Sequence, residues 1–166
     1  MNFGRILRHF STGQMAIRRA FPEAALMAIE KAIGKSESGH RGEIRFAVEA
    51  ALNTLPLLND QSGRERAVEV FSHLRVWDTE HNNGVLVYLL LADRDVEIIA
   101  DRGINAKVGN EEWESICREM ETIFAQGRFE QGVIAGIESI GRHLREHFPT
   151  QTAGGENELP DRPAIL

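Results

Sequence analysis

The sequence predicts an α/β protein, a three-layer α/β/α sandwich with a small mixed β-sheet. Three short segments have the character of strands. Residues 43–52 alternate apolar and mostly polar side chains, residues 85–92 are apolar throughout, and residues 96–100 follow after a polar turn. Amphipathic helical segments lie before, between and after them. Helices that cover both faces of a small sheet make a three-layer sandwich.

The order of the elements predicts how the strands pair. A helix from Arg64 to Leu74, with Ala67 and Val70 facing inward, separates the first two strands. Strands joined through a helix are parallel and connected by a right-handed crossover. The polar turn at residues 93–95 is short enough for a hairpin, so the third strand should return antiparallel to the second.

Three further helices complete a domain that we predict over residues 21–149. The first begins at Pro22 and ends near Gly34, and the second begins at Asn110, a favourable N-cap. The last helix runs from about Arg128 to His147. Residues 150–166 are polar and rich in glycine and proline, so we predict a disordered tail there.

Residues 1–20 form a basic N-terminal arm. Apolar side chains repeat with helical spacing at Phe3, Ile6, Leu7 and Phe10, which predicts one short amphipathic helix ending near Gly13. Two interpretations stay open. The arm contacts a membrane surface peripherally, since basic and apolar faces suit anionic lipid, or it packs on its own domain or a neighbouring subunit.

Charge and cysteine content exclude several classes of protein. The arm holds four arginines and no acid, whereas the remainder holds 15 basic against 25 acidic residues. Such an acidic body disfavours nucleic acid as a partner. The single cysteine, Cys117, excludes an intrachain disulfide and a multi-cysteine metal site. No apolar run is long enough to span a membrane, and no signal-peptide pattern is present, so we expect a cytoplasmic location, at most peripheral to a membrane.

Three polar segments should meet at one edge of the sheet, namely residues 37–43, 78–83 and 101–103. The predicted topology brings together the starts of the first two strands and the end of the third. Carboxylate and amide oxygens suit hard cations, so we predict a calcium or magnesium site. Its predicted ligands are Asp78, Glu80, Asn82, Asn83 and Asp101. Further candidates at the same edge are Glu37, His40, Glu43 and Arg102. The alternative is that these polar residues only fill loops.

The spacing at Asp78, Glu80 and Asn82 is similar to the start of a calcium-binding loop, but it is not an EF-hand. An EF-hand needs glycine at the sixth position and glutamate at the twelfth, where this chain has Asn83 and Leu89. The chain also lacks a Walker loop, a dinucleotide-binding glycine motif and a serine-hydrolase elbow. Nucleotide-dependent and serine-hydrolase chemistry therefore have no support.

Taken in order, several motifs resemble the TPM domain family, in particular its short bacterial members. They begin with Glu43-Ile44 at the first strand and the helix at residues 67–74. The Asn82-Asn83-Gly84 turn and the segment at residues 96–103 follow. The last is the pattern Phe124-x-x-Gly127-x-Phe129-x-x-Gly132. The resemblance extends from about residue 21 to residue 149.

The resemblance implies an α/β/α sandwich with a site at the sheet edge described above. It also implies calcium binding, weak acid-phosphatase activity, or a role in maintaining membrane-associated protein complexes. Two functional hypotheses follow. The first is a divalent-cation-binding and protein-interaction module, and the second is a weak metal-dependent acid phosphatase acting on phosphomonoesters. In the second, Arg102 is a candidate phosphate clamp. The catalytic residues of such an enzyme stay unassigned.

Overall fold

The structure is a computed structural model that describes residues 3–150 and 156–166. Within them, the strands are β1 (Glu43–Glu49), β2 (Gly84–Leu90), β3 (Asp95–Ala100) and β4 (Ala164–Ile165). They form one sheet in the spatial order β3-β2-β1-β4. β1 and β2 are parallel, and β2 and β3 are antiparallel, which confirms the predicted pairing of the first three strands.

Eight helices surround the sheet in the described part of the chain, and the predicted α/β fold class is confirmed. They are α1 (Phe3–Ser11), α2 (Gln14–Ala20), α3 (Glu23–Glu37), α4 (Thr54–Leu58), α5 (Gly63–His73), α6 (Arg102–Asn105), α7 (Asn110–Phe124) and α8 (Phe129–His147). The sequence did not predict α2, α4 or α6. Each has at most seven residues, too few for a helical periodicity to stand out.

A hydrophobic core lies on each face of the sheet. Alternate residues of β2, such as Val87 and Leu89, pack with α3, α7 and α8 on the first face. Leu86, Tyr88 and Leu90 face the other way, against α5 and the residues around α4. Burial of both faces explains why the β2 sequence is apolar throughout instead of alternating.

The polar side chains of β1 lie on the second face and are also buried. Glu49 accepts hydrogen bonds from the Tyr88 hydroxyl at 2.6 Å and from Arg66 Nε at 2.9 Å. Nearer the start of β1, Arg45 Nη1 donates to the backbone carbonyls of Pro160 and Arg162. The alternation predicted for this strand is therefore real, and its polar side is covered by α5 and by the C-terminal segment.

The prediction of a disordered tail over residues 150–166 is wrong for residues 156–166, which we call the C-terminal segment. β4 extends the sheet, with Ala164 opposite Ala47 and Ile165 opposite Val48. Leu159 is buried in the second core. Side chains of β1 bind the backbone of this segment, so its polar composition does not prevent ordered packing. The rest of the predicted tail, residues 151–155, lies outside the described residues.

The basic arm forms two helices rather than one. α1 ends close to the predicted position, and α2 follows Gly13 and buries Ile17 in the first core. The arm therefore packs on its own domain. Across residues 3–150 and 156–166, no helix combines the length and the apolar character needed to span a membrane.

Candidate functional site

The predicted sheet edge carries two neighbouring polar regions. Glu43 is paired with Gly84, and Val85 with Ala100, so the three predicted segments do meet there. We call the first region the asparagine corner, formed by Asn82, Asn83 and Asp101. The second, the acidic cleft, has a volume of about 380 Å³ and lies between the α3–β1 connection, the turn before β2 and the C-terminal segment. Its charged and histidine side chains are Glu37, His40, Arg41, Glu43, Glu80, His81, Glu156, Glu158 and Asp161.

The backbone of the asparagine corner is held by hydrogen bonds between two loops. Asn82 has a φ of 50°, a left-handed conformation that asparagine tolerates better than most residues. Its carbonyl accepts the backbone N–H groups of Gly103 at 2.8 Å and of Ile104 at 3.3 Å. A Cβ at Gly103 would lie 2.5 Å from the carbonyl oxygens of Asn82 and His81. Glycine is therefore required for the approach of these loops.

Two side-chain oxygens at this corner are buried without a donor. Asn83 is fully buried, and its Nδ2 donates to the Arg41 carbonyl at 2.9 Å, while its Oδ1 has no hydrogen-bond partner. Asp101 Oδ1 accepts the Arg102 N–H at 2.7 Å, while its Oδ2 has no partner. The Asp101 N–H donates to the Gly84 carbonyl at 2.9 Å, so Asp101 lies beside the residue that follows Asn83.

Two of the predicted cation ligands lie elsewhere at this edge. Asp78 forms an ion pair with Arg75 at 2.7 Å on an exposed turn. Glu80 belongs to the acidic cleft, where its backbone N–H donates to Glu158 Oε2 at 2.8 Å. Within the described residues, no group of three or more histidine, cysteine, aspartate or glutamate side chains is placed to hold a metal ion. Any cation here would therefore need amide, carbonyl or water oxygens as well.

Arg102 lies beside the asparagine corner with its guanidinium exposed. Its Nη2 is 3.5 Å from Asn82 Oδ1, at the outer limit of a hydrogen bond. Arg102 is the first residue of α6, a helix of only four residues. The guanidinium is thus positioned where an anion at the corner could reach it.

Glu37 and Glu43 line the inner wall of the acidic cleft. Glu37 Oε1 accepts the Ile44 N–H at 2.8 Å. Burial, helped by the charges of Glu43 and Asp161, raises the pKa of Glu37 to about 9, and its side chain hydrogen-bonds to Asp161. Burial also raises the pKa of Glu43 to about 7, even though its carboxylate accepts two backbone N–H groups of the C-terminal segment. At neutral pH Glu37 therefore carries a proton.

His40 is a buried structural residue in this arrangement. The Gly42 N–H lies 3.2 Å from its Nδ1, and Ser36 Oγ lies 3.0 Å from its Nε2. Burial lowers the pKa of His40 to about 4, so the ring is neutral. The Gly42 carbonyl oxygen also lies 3.1 Å from Nδ1, so both ring nitrogens have hydrogen-bond partners and the ring joins α3 to the start of β1.

Sequence reasoning missed the contribution of the C-terminal segment to the cleft. Glu158 and Asp161 line it, and both belong to residues that the sequence predicted to be disordered. Apolar residues in the segment are the signal that could have indicated its order. Leu159 and the closing residues 164–166 are hydrophobic in an otherwise polar stretch, which indicates a segment that buries part of its length.

The chain is similar to known proteins both in sequence and in structure. The TPM domain profile matches residues 19–143. The NMR structure of the BA42 protein from the psychrophilic bacterium Bizionia argentinensis is similar, with a TM-score of 0.76 and 31% sequence identity. The match covers 88% of this chain and 95% of that chain. No curated protein matches the chain. Since the profile spans most of the sequence and the structural match nearly all of it, the chain belongs to the TPM domain family.

Proposed function

We propose that this TPM domain binds a divalent cation, calcium in the first place, at the asparagine corner. The observation that carries the proposal is the pair of buried, unpartnered oxygens, Asn83 Oδ1 and Asp101 Oδ2. A buried acceptor that has lost its partner costs about 1–3 kcal/mol. A bound cation removes that cost, whereas a purely structural corner retains it.

The donor types favour calcium or magnesium over zinc. The corner offers one carboxylate and neutral amide oxygens, which are hard ligands, and calcium accepts these together with water. Zinc in proteins prefers histidine and cysteine. With so few charged ligands, we expect weak affinity, with a Kd of roughly 0.1–1 mM, as for extracellular calcium modules.

A calorimetric calcium titration of the whole chain tests the proposal. Asp101→Asn is the informative variant, since it replaces the unpartnered Oδ2 by an amide group and keeps an oxygen to cap α6. We expect it to weaken calcium binding at least about tenfold, because a charged ligand is lost. Asp78→Asn is the matched control. Asp78 is paired with Arg75, and we leave it out of the corner, so calcium binding should be unchanged.

We also propose that the cation-bound domain binds a protein of a membrane-associated complex. The acidic cleft supports this, because its carboxylates suit a basic segment of a partner. Asn83 Nδ2 binds the Arg41 carbonyl at 2.9 Å, and Arg41 lines the cleft. Asn83 therefore links the corner to a cleft residue by a direct hydrogen bond. Partner binding should depend on calcium and lose that dependence in Asp101→Asn.

A weak metal-dependent acid phosphatase is the second candidate function, and the position of Arg102 favours it. The exposed guanidinium lies beside the corner that would hold the metal. A metal there would polarise a phosphomonoester and activate water, while Arg102 would clamp the phosphate. The carboxylates of the nearby cleft oppose phosphate binding, so we place cation and protein binding first.

Hydrolysis of a phosphomonoester such as p-nitrophenyl phosphate separates the two functions. An enzyme requires turnover that depends on added metal, collapses in Asp101→Asn and falls in Arg102→Gln. Turnover that survives Asp101→Asn comes from a contaminant. Calcium binding without metal-dependent turnover would support the binding function and exclude the phosphatase.

A further inference from the structure

The N-terminal helix α1 docks on the domain with its polar face. Arg5 Nε binds Asp93 Oδ2 at 2.9 Å, and Arg8 Nη2 lies 3.3 Å from Asp93 Oδ1. His9 is buried, with Nε2 at 3.1 Å from Asp93 Oδ1 and Nδ1 accepting the Leu52 N–H at 3.0 Å. A helix on a protein surface ordinarily turns its apolar face to the core. Here Asp93 anchors the opposite face, and Asp60 lies 3.9 Å from Arg5 Nη1.

The consequence is that the apolar face of α1 points to solvent. Phe3, Leu7 and Phe10 are 77%, 72% and 68% exposed. Their spacing places them in one stripe along about two turns of helix. Among the apolar residues of the repeat, Ile6 packs against the second core. An exposed stripe of large apolar side chains is typical of a surface that binds a protein, a membrane or a ligand.

The short helix α4 adds apolar side chains at the same end of the molecule. α1 contacts the chain on both sides of α4, since Arg5 Nη2 donates to the Gln61 carbonyl at 2.7 Å and His9 accepts from Leu52. On α4, Leu55 is 74% exposed and Leu58 is 48% exposed. We call the exposed apolar side chains of α1 and α4 the apolar end.

Arginines flank the apolar end. Arg8, Arg19 and Arg94 line one shallow pocket of about 430 Å³ between α1, α2 and the turn before β3. Arg18 is exposed on α2. Residues 1–20 contain no acid, and Asp93 is already bound to Arg5 and Arg8. The charge on the α1–α2 side of the stripe is therefore basic, whereas Asp60, Glu65 and Glu69 lie on the α4 side, and the chain as a whole carries −6.

We propose that the apolar end docks this protein on an anionic lipid bilayer. Phe3, Leu7 and Phe10 enter the boundary between headgroups and acyl chains, and the arginines contact lipid phosphates. An apolar helical stripe with a basic flank is the combination that binds such interfaces. A second copy of the chain is a poorer occupant, because a two-fold contact through this stripe would bring the same arginines together.

The docked orientation keeps the candidate site away from the bilayer. α1 contacts Leu52 and Ala92, which follow the last residues of β1 and β2. The asparagine corner lies at the first residues of those strands. The strands are seven residues long, which separates the two ends by roughly 20 Å. Membrane docking should therefore need no calcium. The test of docking is thus independent of the test of the proposed cation site.

Co-sedimentation of the full chain with vesicles, in the presence of a chelator, tests the proposal. We expect binding to vesicles of phosphatidylcholine with phosphatidylglycerol, little binding to phosphatidylcholine alone, and weaker binding at high salt. The double variant Leu7→Ser, Phe10→Ser should lower the bound fraction at least about tenfold. These side chains are exposed, so their replacement leaves the fold intact, which circular dichroism verifies.

Two control variants match this design. Met27→Ser removes an apolar side chain of α3 that is 61% exposed and should bind vesicles as the wild type does. Arg19→Glu should weaken binding several-fold, whereas Arg118→Glu on α7 should not. The proposal is overturned if the wild type ignores anionic vesicles or if the double variant binds them equally well. A wild type that is dimeric and binds no vesicles, together with a monomeric double variant, would show that a second copy of the chain covers the apolar end instead.

Discussion

The carboxylate of Glu43, the first residue of β1, accepts the backbone N–H of Leu159 at 3.2 Å. The Glu158 N–H reaches the same carboxylate, also at 3.2 Å. Together with Arg45, which binds carbonyls of the same segment, Glu43 holds residues 156–166 by their backbone. One wall of the acidic cleft therefore depends on these contacts.

Replacing Glu43 by alanine should loosen the C-terminal segment. Two backbone N–H groups lose their acceptor, so we expect the free energy of unfolding to fall by about 1–3 kcal/mol. The direct measurement is hydrogen exchange at the amides of Glu158 and Leu159, which should speed up more than exchange in α7 or α8. Glu119→Ala, at an exposed position of α7, is the control. Unchanged protection at both amides would show that Arg45, β4 and the buried Leu159 side chain hold the segment without Glu43.

The stability of the protein should fall as the pH rises, through Glu37. Its pKa is about 9 in the folded chain against 4.5 ordinarily. Between these values the folded state holds a proton that the unfolded state has released, so raising the pH favours unfolding. Glu43, with a pKa of about 7, acts in the same direction over the lower part of that range.

Glu37→Gln should therefore be more stable than the wild type at pH 8, with the difference shrinking towards pH 5. The amide keeps an acceptor for the Ile44 N–H and a donor for Asp161. Denaturant unfolding at several pH values measures the effect. Parallel curves for the two proteins would mean that Glu37 ionises normally and that its burial is compensated by another group.

Gly103 should tolerate no side chain. A Cβ there would lie 2.5 Å from two carbonyl oxygens of the facing loop, so Gly103→Ser should lower the free energy of unfolding by about 1–3 kcal/mol. Gly109→Ser is the matched control, since a Cβ at Gly109 meets nothing within 4 Å and serine is a good N-cap for α7. Equal melting temperatures for the two variants would contradict the close approach at the asparagine corner.

The sheet and its edge could be predicted because they depend on local patterns. Alternation in β1, a continuous apolar run in β2 and a short polar turn before β3 are sufficient to derive the pairing. That pairing then brings the turn at Asn83 and the end of β3 at Asp101 to the same edge. The position of Asp78, which pairs with Arg75 on an exposed turn, could not be predicted, because the connection between α5 and β2 has no periodic pattern that fixes its path.

Two other features could not be predicted, because they depend on tertiary partners. The C-terminal segment is ordered by Glu43 and Arg45, which bind backbone groups and leave little trace in the sequence of the segment itself. The periodicity of α1 shows an apolar stripe but not the direction in which it points. Asp93, more than eighty residues away, decides that direction.

The most direct test of the cation site is a calcium titration of the isotope-labelled chain followed by amide chemical shifts. We expect saturable shifts at Asn83, Gly84 and residues 101–103, with none on α1, which lies at the far end of the sheet. Asp101→Asn should move those shifts to at least about tenfold higher calcium concentrations and leave the rest of the spectrum in place. Shifts absent from the corner with both calcium and magnesium, or unaltered in Asp101→Asn, would contradict the proposal that Asn83 and Asp101 bind a divalent cation.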